Sequence, residues 1–255
     1  MKNKDICDKI KEVLSKEKDV IAIFNNGSSA VGLETPGSDV DFVVITKLKT
    51  EEQVLKLIGR IKKKIKFIEV ERDGSSGRSG IFSINNRRVD LAIYYKGRME
   101  YVVNHFYDSR ETFLEYQHKI KHKIVDAVEV YDPKHLLKKF KKEVERYPQK
   151  IFDEVFKHSM ELLKENYYYW KYHGFRSEFQ FGFEKWDIIK EICEALYAKN
   201  KRLFMLPYKR LHKDLKELKP NIEKEVYFLV RGINTQKNIA KKIKVLKIII
   251  AKLEK

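Results

Sequence analysis

Two acids stand two residues apart at the mouth of an apolar run, Asp39-Val40-Asp41-Phe42-Val43-Val44-Ile45. The run reads as a strand, and successive side chains of a strand face opposite sides. Asp39 and Asp41 therefore project from one face, while Val40 and Phe42 project from the other. Adjacent carboxylates repel, so the pairing is costly unless a cation lies between them. This pattern calls for a sheet with its apolar run in a core and its acids at an open end. A second strand, Ile21-Ala22-Ile23-Phe24, comes just before and ends in the turn Asn26-Gly27-Ser28-Ser29. A third, Val89-Asp90-Leu91-Ala92-Ile93-Tyr94-Tyr95, carries an acid among apolar neighbours, where a lone carboxylate is expensive to bury. If the strands of Asp41 and Asp90 are neighbours, three carboxylates converge on one spot.

Hard oxygen ligands of this kind suit Mg²⁺, which takes one or two carboxylates and completes its shell with substrate phosphates. Three of them form a two-metal phosphoryl-transfer site. The plainer alternatives are an ion pair of Asp90 with Arg87 or Arg88, and a Gly27-Ser28 pair that only turns the chain.

The order Gly27-Ser28, then Asp39-Val40-Asp41, then a later strand with Asp90, resembles the nucleotidyltransferase superfamily related to DNA polymerase beta. The stretch Gly32-Leu33-Glu34-Thr35-Pro36-Gly37-Ser38-Asp39-Val40-Asp41 is similar to its small-molecule branch, which includes antibiotic-modifying enzymes. The resemblance covers about the first half of the chain closely and the rest loosely. It implies that Asp39 and Asp41 hold Mg²⁺ on a nucleoside triphosphate, with two ions expected and Mn²⁺ as a substitute. It implies that Asp90 shares a metal and takes the acceptor's proton. Gly27 and Ser28 would cradle the β- and γ-phosphates, with Ser38 and Lys209, or Arg202 in its place, as further nucleotide contacts. The oligomeric state stays open, although the antibiotic-modifying relatives suggest a homodimer.

Helical spacing of Ile6, Ile10, Val13 and Leu14 predicts a helix over residues 3–17, and a second apolar stripe predicts one over 51–64. Strands are expected near 19–25, 40–46, 67–70, 81–84 and 89–95, the last two joined by a hairpin at Asn85-Asn86. The glycine-rich stretch 73–80 reads as a turn. Beyond residue 99 the pattern is helical throughout, except for a short extended piece at Val130-Tyr131-Asp132-Pro133. The fold class is α+β. A mixed-sheet catalytic domain over 1–133 is followed by an all-α acceptor-binding bundle over 134–255.

Composition narrows the partners. The 255 residues carry a net charge of +17, from forty-two lysines and twelve arginines against thirty-seven acids. The lysines are spread through the helices, and arginine, the better bidentate reader of phosphate, is scarce. Nucleic acid is therefore not the favoured partner, and a polycationic acceptor is disfavoured. No run is long enough to span a bilayer. Two cysteines exclude a disulfide framework and fit a cytoplasmic location.

The expected reaction transfers a nucleoside monophosphate, AMP from ATP by default, to a hydroxyl of a small acceptor and releases pyrophosphate. One alternative is an RNA-directed enzyme acting on a 3′ end, which the charge favours. Another is an antitoxin-like, non-catalytic protein on the same fold, which the intact acids disfavour.

Overall fold

A computed structural model describes residues 3–35, 38–73, 77–104, 123–146, 148–173, 177–202, 211–231 and 235–255. The chain divides into two compact units. Among the described residues, the first runs to residue 146 and the second begins at Pro148.

The first unit is built on a six-stranded mixed sheet. Its strands are β1 (Val20–Asn26), β2 (Val40–Thr46), β3 (Lys66–Asp73), β4 (Gly77–Ile84), β5 (Arg87–Tyr95) and β6 (Val128–Tyr131), in the spatial order β3-β4-β5-β2-β1-β6. The only parallel pair in that order is β2 with β5, at the centre of the sheet. Both strands are apolar on both faces beyond their acidic ends, as inner strands covered on two sides must be. Val40, Phe42 and Val44 of β2 and Val89, Leu91 and Ile93 of β5 point into one core. That core is closed by α1 (Asn3–Leu14) and α3 (Glu51–Lys62).

Local chemistry sets the ends of these elements. Thr50 and Gln53 form a capping box at the start of α3, with Glu51 and Glu52 in its first turn and Arg60 and Lys62 in its last. Asn85 and Asn86 both take positive φ in the β4–β5 turn, the backbone that a two-residue hairpin requires.

The opposite face of the sheet is covered by α4 (Lys96–Asn104), which packs on β5 and β2 and against α5 (Leu136–Glu145). Leu136, Leu137, Phe140 and Val144 of α5 are buried. This helix belongs to the first unit, whereas the expected junction at Pro133 assigns it to the second. The strand β6, legible only as an extended piece, adds to the edge of the sheet beside β1. Strands β3 and β4 run further than their sequence suggests. The register continues to Asp73 opposite Gly77, so the stretch read as a turn is largely paired backbone. Glycine weakens the strand signal, but pairing with β5 holds β4 straight through Gly80.

The second unit is all-α. Its helices are α6 (Gln149–His173), α7 (Glu178–Lys199), α8 (Leu211–Glu217), α9 (Glu223–Val230) and α10 (Gln236–Glu254). They enclose one core that includes Leu163, Trp170, Phe181, Ile189, Ile192 and Leu246. The aromatic run near Tyr167 is split by helical geometry. Trp170 is buried against Phe181, with its Nε1–H donating to Glu184 at 3.0 Å. Tyr168 and Tyr172 lie stacked on the exposed side. Among the described residues, no helix is long and apolar enough to cross a membrane. Residues 105–122, part of the stretch expected to be helical, lie outside the described residues.

Candidate active site

The parallel register of β2 and β5 sets Asp41 directly opposite Asp90. Asp39, two residues before Asp41, joins the same face just ahead of the strand. One oxygen from each of Asp39, Asp41 and Asp90 lies within 4.8 Å of the others, and all three residues are half-buried. The convergence expected from the sequence is thus what the sheet produces.

The turn after β1 approaches this cluster closely. Gly27 has φ +71°, and a Cβ built on it would run into the Asp41 carboxylate. Only glycine meets both demands, a left-handed backbone and no side chain. Asn25 ties the turn to the neighbouring strand. Its Nδ2 donates to Ser29 Oγ at 2.9 Å and to the Asp41 carbonyl at 3.1 Å, while Ser29 Oγ donates to the Asn26 carbonyl at 3.2 Å. Ser28 is half-buried in the short helix α2 (Gly27–Ala30), and its carbonyl accepts from Leu33 N.

Ser38 has its hydroxyl in the loop ahead of Asp39, where it accepts from Thr35 N at 2.9 Å and meets Thr35 Oγ1 at 3.0 Å. The Ser38 carbonyl accepts from Arg87 Nη2 at 3.1 Å, and Arg87 Nη1 donates to Asn3 Oδ1 at 2.7 Å. Arg87 therefore fastens the loop that delivers Asp39. Lys209 lies outside the described residues. Arg202, at the end of α7, sits 3.6 Å from Glu217 and 4.0 Å from Asp214 within the second unit.

One residue beside the acids carries no clear signal in the sequence. Asn26 pairs with Asp41 across β1 and β2, which sets both on one face of the sheet. It is 3% exposed, and its Oδ1 is buried with no hydrogen-bond partner among the described residues. An unsatisfied buried acceptor costs roughly 1–3 kcal/mol, so Asn26 Oδ1 favours a hydrogen-bond donor beside the acids. Of the two arginines that the sequence offers to Asp90, Arg88 is the one that pairs. Its Nε donates to Asp90 Oδ1 at 2.9 Å and its Nη2 to Asp90 Oδ2 at 3.3 Å. The plainer expectation of an arginine pair and the convergence of three acids are both realised at Asp90.

This donor set is all oxygen, carries three negative charges and includes a buried acceptor seeking a donor. It fits a hard divalent cation of the Mg²⁺ or Mn²⁺ type.

Residues 7–82 match the family model of the nucleotidyltransferase domain. The similarity lies wholly within the first unit. The match spans β1, the Gly27 turn, Asp39, Asp41 and the strands into β4, and it ends before Asp90. No curated protein matches the chain. Among solved structures, a nucleotidyltransferase-like protein from Exiguobacterium sibiricum 255-15 is similar over 96% of this chain and 74% of its own, with a TM-score of 0.42 and 10% identity. Spectinomycin adenyltransferase AAD(9) from Enterococcus faecialis, solved with ATP and spectinomycin, is covered in full, as is this chain, with a TM-score of 0.39 and 17% identity. The STING-associated CdnE c-di-GMP synthase from Capnocytophaga granulosa aligns over 99% of this chain and 81% of its own, with a TM-score of 0.31 and 18% identity. Likenesses this distant carry no argument about substrate.

Proposed function

We propose that the protein transfers a nucleoside monophosphate from a nucleoside triphosphate to a hydroxyl of a small acceptor, with release of pyrophosphate. The observation that carries this reading is the meeting of Asp39, Asp41 and Asp90 beside a glycine turn, within a chain that matches the nucleotidyltransferase domain. Asp39, Asp41 and Asp90 would hold divalent metal, with Mg²⁺ as the natural ion. Bound there, the metal would neutralise the triphosphate and acidify the acceptor hydroxyl.

The chain's own residues have distinct tasks in this reading. Asp39 and Asp41 would hold the metal that carries the triphosphate. Gly27 presents bare backbone where a side chain would block the approach to Asp41. Asp90 takes the proton as the acceptor oxygen bonds to the α-phosphorus and the bridging bond to the β-phosphate breaks. The pair of electrons from that broken bond leaves on pyrophosphate, so charge and atoms balance. ATP is the default donor because it is abundant, and the helical unit is the proposed source of acceptor specificity.

The test is pyrophosphate release from each nucleoside triphosphate with Mg²⁺, over a panel of antibiotics, metabolites and tRNA. Asp41→Asn should retain the fold and lose activity by orders of magnitude, because the amide cannot neutralise a metal. Near-normal metal-dependent turnover by Asp41→Asn would refute the assignment. The +17 charge favours RNA as a second acceptor class. Binding that weakens steeply with salt, together with 3′-end extension, would select it.

A further inference from the structure

We infer that Arg88 is an exchangeable counter-ion of the acidic cluster, which holds Asp90 in the absence of metal and passes to the triphosphate when metal and nucleotide enter together. The inference rests on reading Asp39, Asp41 and Asp90 as a metal site, and it assigns a task to a residue that this reading leaves unused.

Arg88 and Asp90 are two apart on β5, so their side chains share a face. The guanidinium engages both carboxylate oxygens, at 2.9 and 3.3 Å. Asp90 in turn faces Asp41 in register, with Asp39 close by. Three acids this close would repel one another strongly, and Arg88 supplies positive charge against them. A divalent ion arriving alone has to compete with that charge for Asp90.

The pair is placed to exchange. The Arg88 side chain is 46% exposed and that of Asp90 24%. Ion pairs at such exposure contribute little and open readily, whereas fully buried ones are locked by the cost of leaving a charge unpaired. Arg87 next door is a contrast. Its two terminal nitrogens hold Asn3 and the Ser38 carbonyl, a task of loop anchoring. Once displaced, a guanidinium beside a bound triphosphate meets the anion it matches best, because its planar fork pairs bidentately with phosphate oxygens. Metal alone is then disfavoured by Arg88, and metal with triphosphate is favoured by it.

This sign change gives the test. Mn²⁺ binding is followed by electron paramagnetic resonance, with and without a non-hydrolysable ATP analogue, on the full chain and on its Arg88→Gln and Asp41→Asn variants. Arg88→Gln should bind Mn²⁺ alone about fivefold more tightly, the worth of one exposed ion pair. It should bind Mn²⁺ with the analogue about tenfold less tightly, the worth of a charged phosphate contact. Loss of structure would weaken both, so opposite signs separate exchange from damage. If Asp41→Asn loses Mn²⁺ while Arg88→Gln gains none, the inference falls and the metal site stands. If Asp41→Asn binds Mn²⁺ like the unaltered chain, the metal-site reading fails and takes the inference with it.

Discussion

Gly27 shows how one residue couples backbone and chemistry. At φ +71° a non-glycine residue is strained by about 1–2 kcal/mol. That alone would be a modest stability defect. The larger effect is on Asp41, whose carboxylate occupies the space that a methyl group would need. Gly27→Ala should therefore lower the melting temperature by only a few degrees while cutting Mn²⁺ affinity and turnover at least tenfold. A variant that loses stability but keeps metal affinity would show that Asp41 simply moves aside. Asp39, Asp41 and Gly27 were legible in the sequence because spacing along a single strand or turn reveals them. The Arg88 pair was legible too, as one of two arginines beside Asp90, and the two-residue spacing on β5 selects it. Asn26 was not. Its importance comes from pairing with Asp41 across two strands. Such a fact depends on register, which no single run of residues displays.

At the scale of elements, helix α3 is fastened to the α1–β1 turn by a compact charge network. Arg60 reaches Glu17 at 2.8 Å and Asp19 at 3.1 Å, and Lys64 reaches Glu17 at 2.8 Å. Burial pushes the Glu17 carboxyl up, but Lys64 and Arg60 outweigh it and hold it below its ordinary 4.5. A carboxylate with a depressed folded value stabilises the fold fully above its unfolded value and loses that contribution as pH falls through the folded one. Glu17→Gln should thus cost roughly 1–3 kcal/mol at pH 7, the range for hydrogen bonds to a charged group. The melting temperatures of the two proteins should converge as pH drops below about 4.5, and curves that stay parallel would sink the idea. The helix itself was easily read, since Val54, Leu57, Ile58 and Ile61 recur at helical spacing behind the Thr50 cap. The full length of β3 and β4 was harder to read. Gly77 and Gly80 look like turn residues in isolation, and only pairing with a neighbouring strand makes them extended.

At the scale of the whole chain, the place where the first unit ends can be tested. Pro133 follows an extended piece and precedes a helix, which is how a domain boundary reads in sequence. In the structure the piece is β6 on the sheet edge, and the next helix, α5, packs with α4 in the same unit. Asp132 helps start that helix, with its Oδ2 accepting from Leu137 N at 2.7 Å. A chain cut after Pro133 loses Leu136, Leu137, Phe140 and Val144, all buried. At about 1.5–3 kcal/mol for each buried side chain, the loss is roughly 6–12 kcal/mol as an upper estimate. That rivals the ~5–15 kcal/mol by which a whole domain is stable. The shorter fragment should aggregate or melt without a cooperative transition. A chain cut after Tyr147 should melt cooperatively and bind Mn²⁺, because it keeps α5 and all three acids. Circular dichroism melts and Mn²⁺ titrations of the two fragments compare them directly. Equal stability would return α5 to the helical unit and restore the boundary at Pro133.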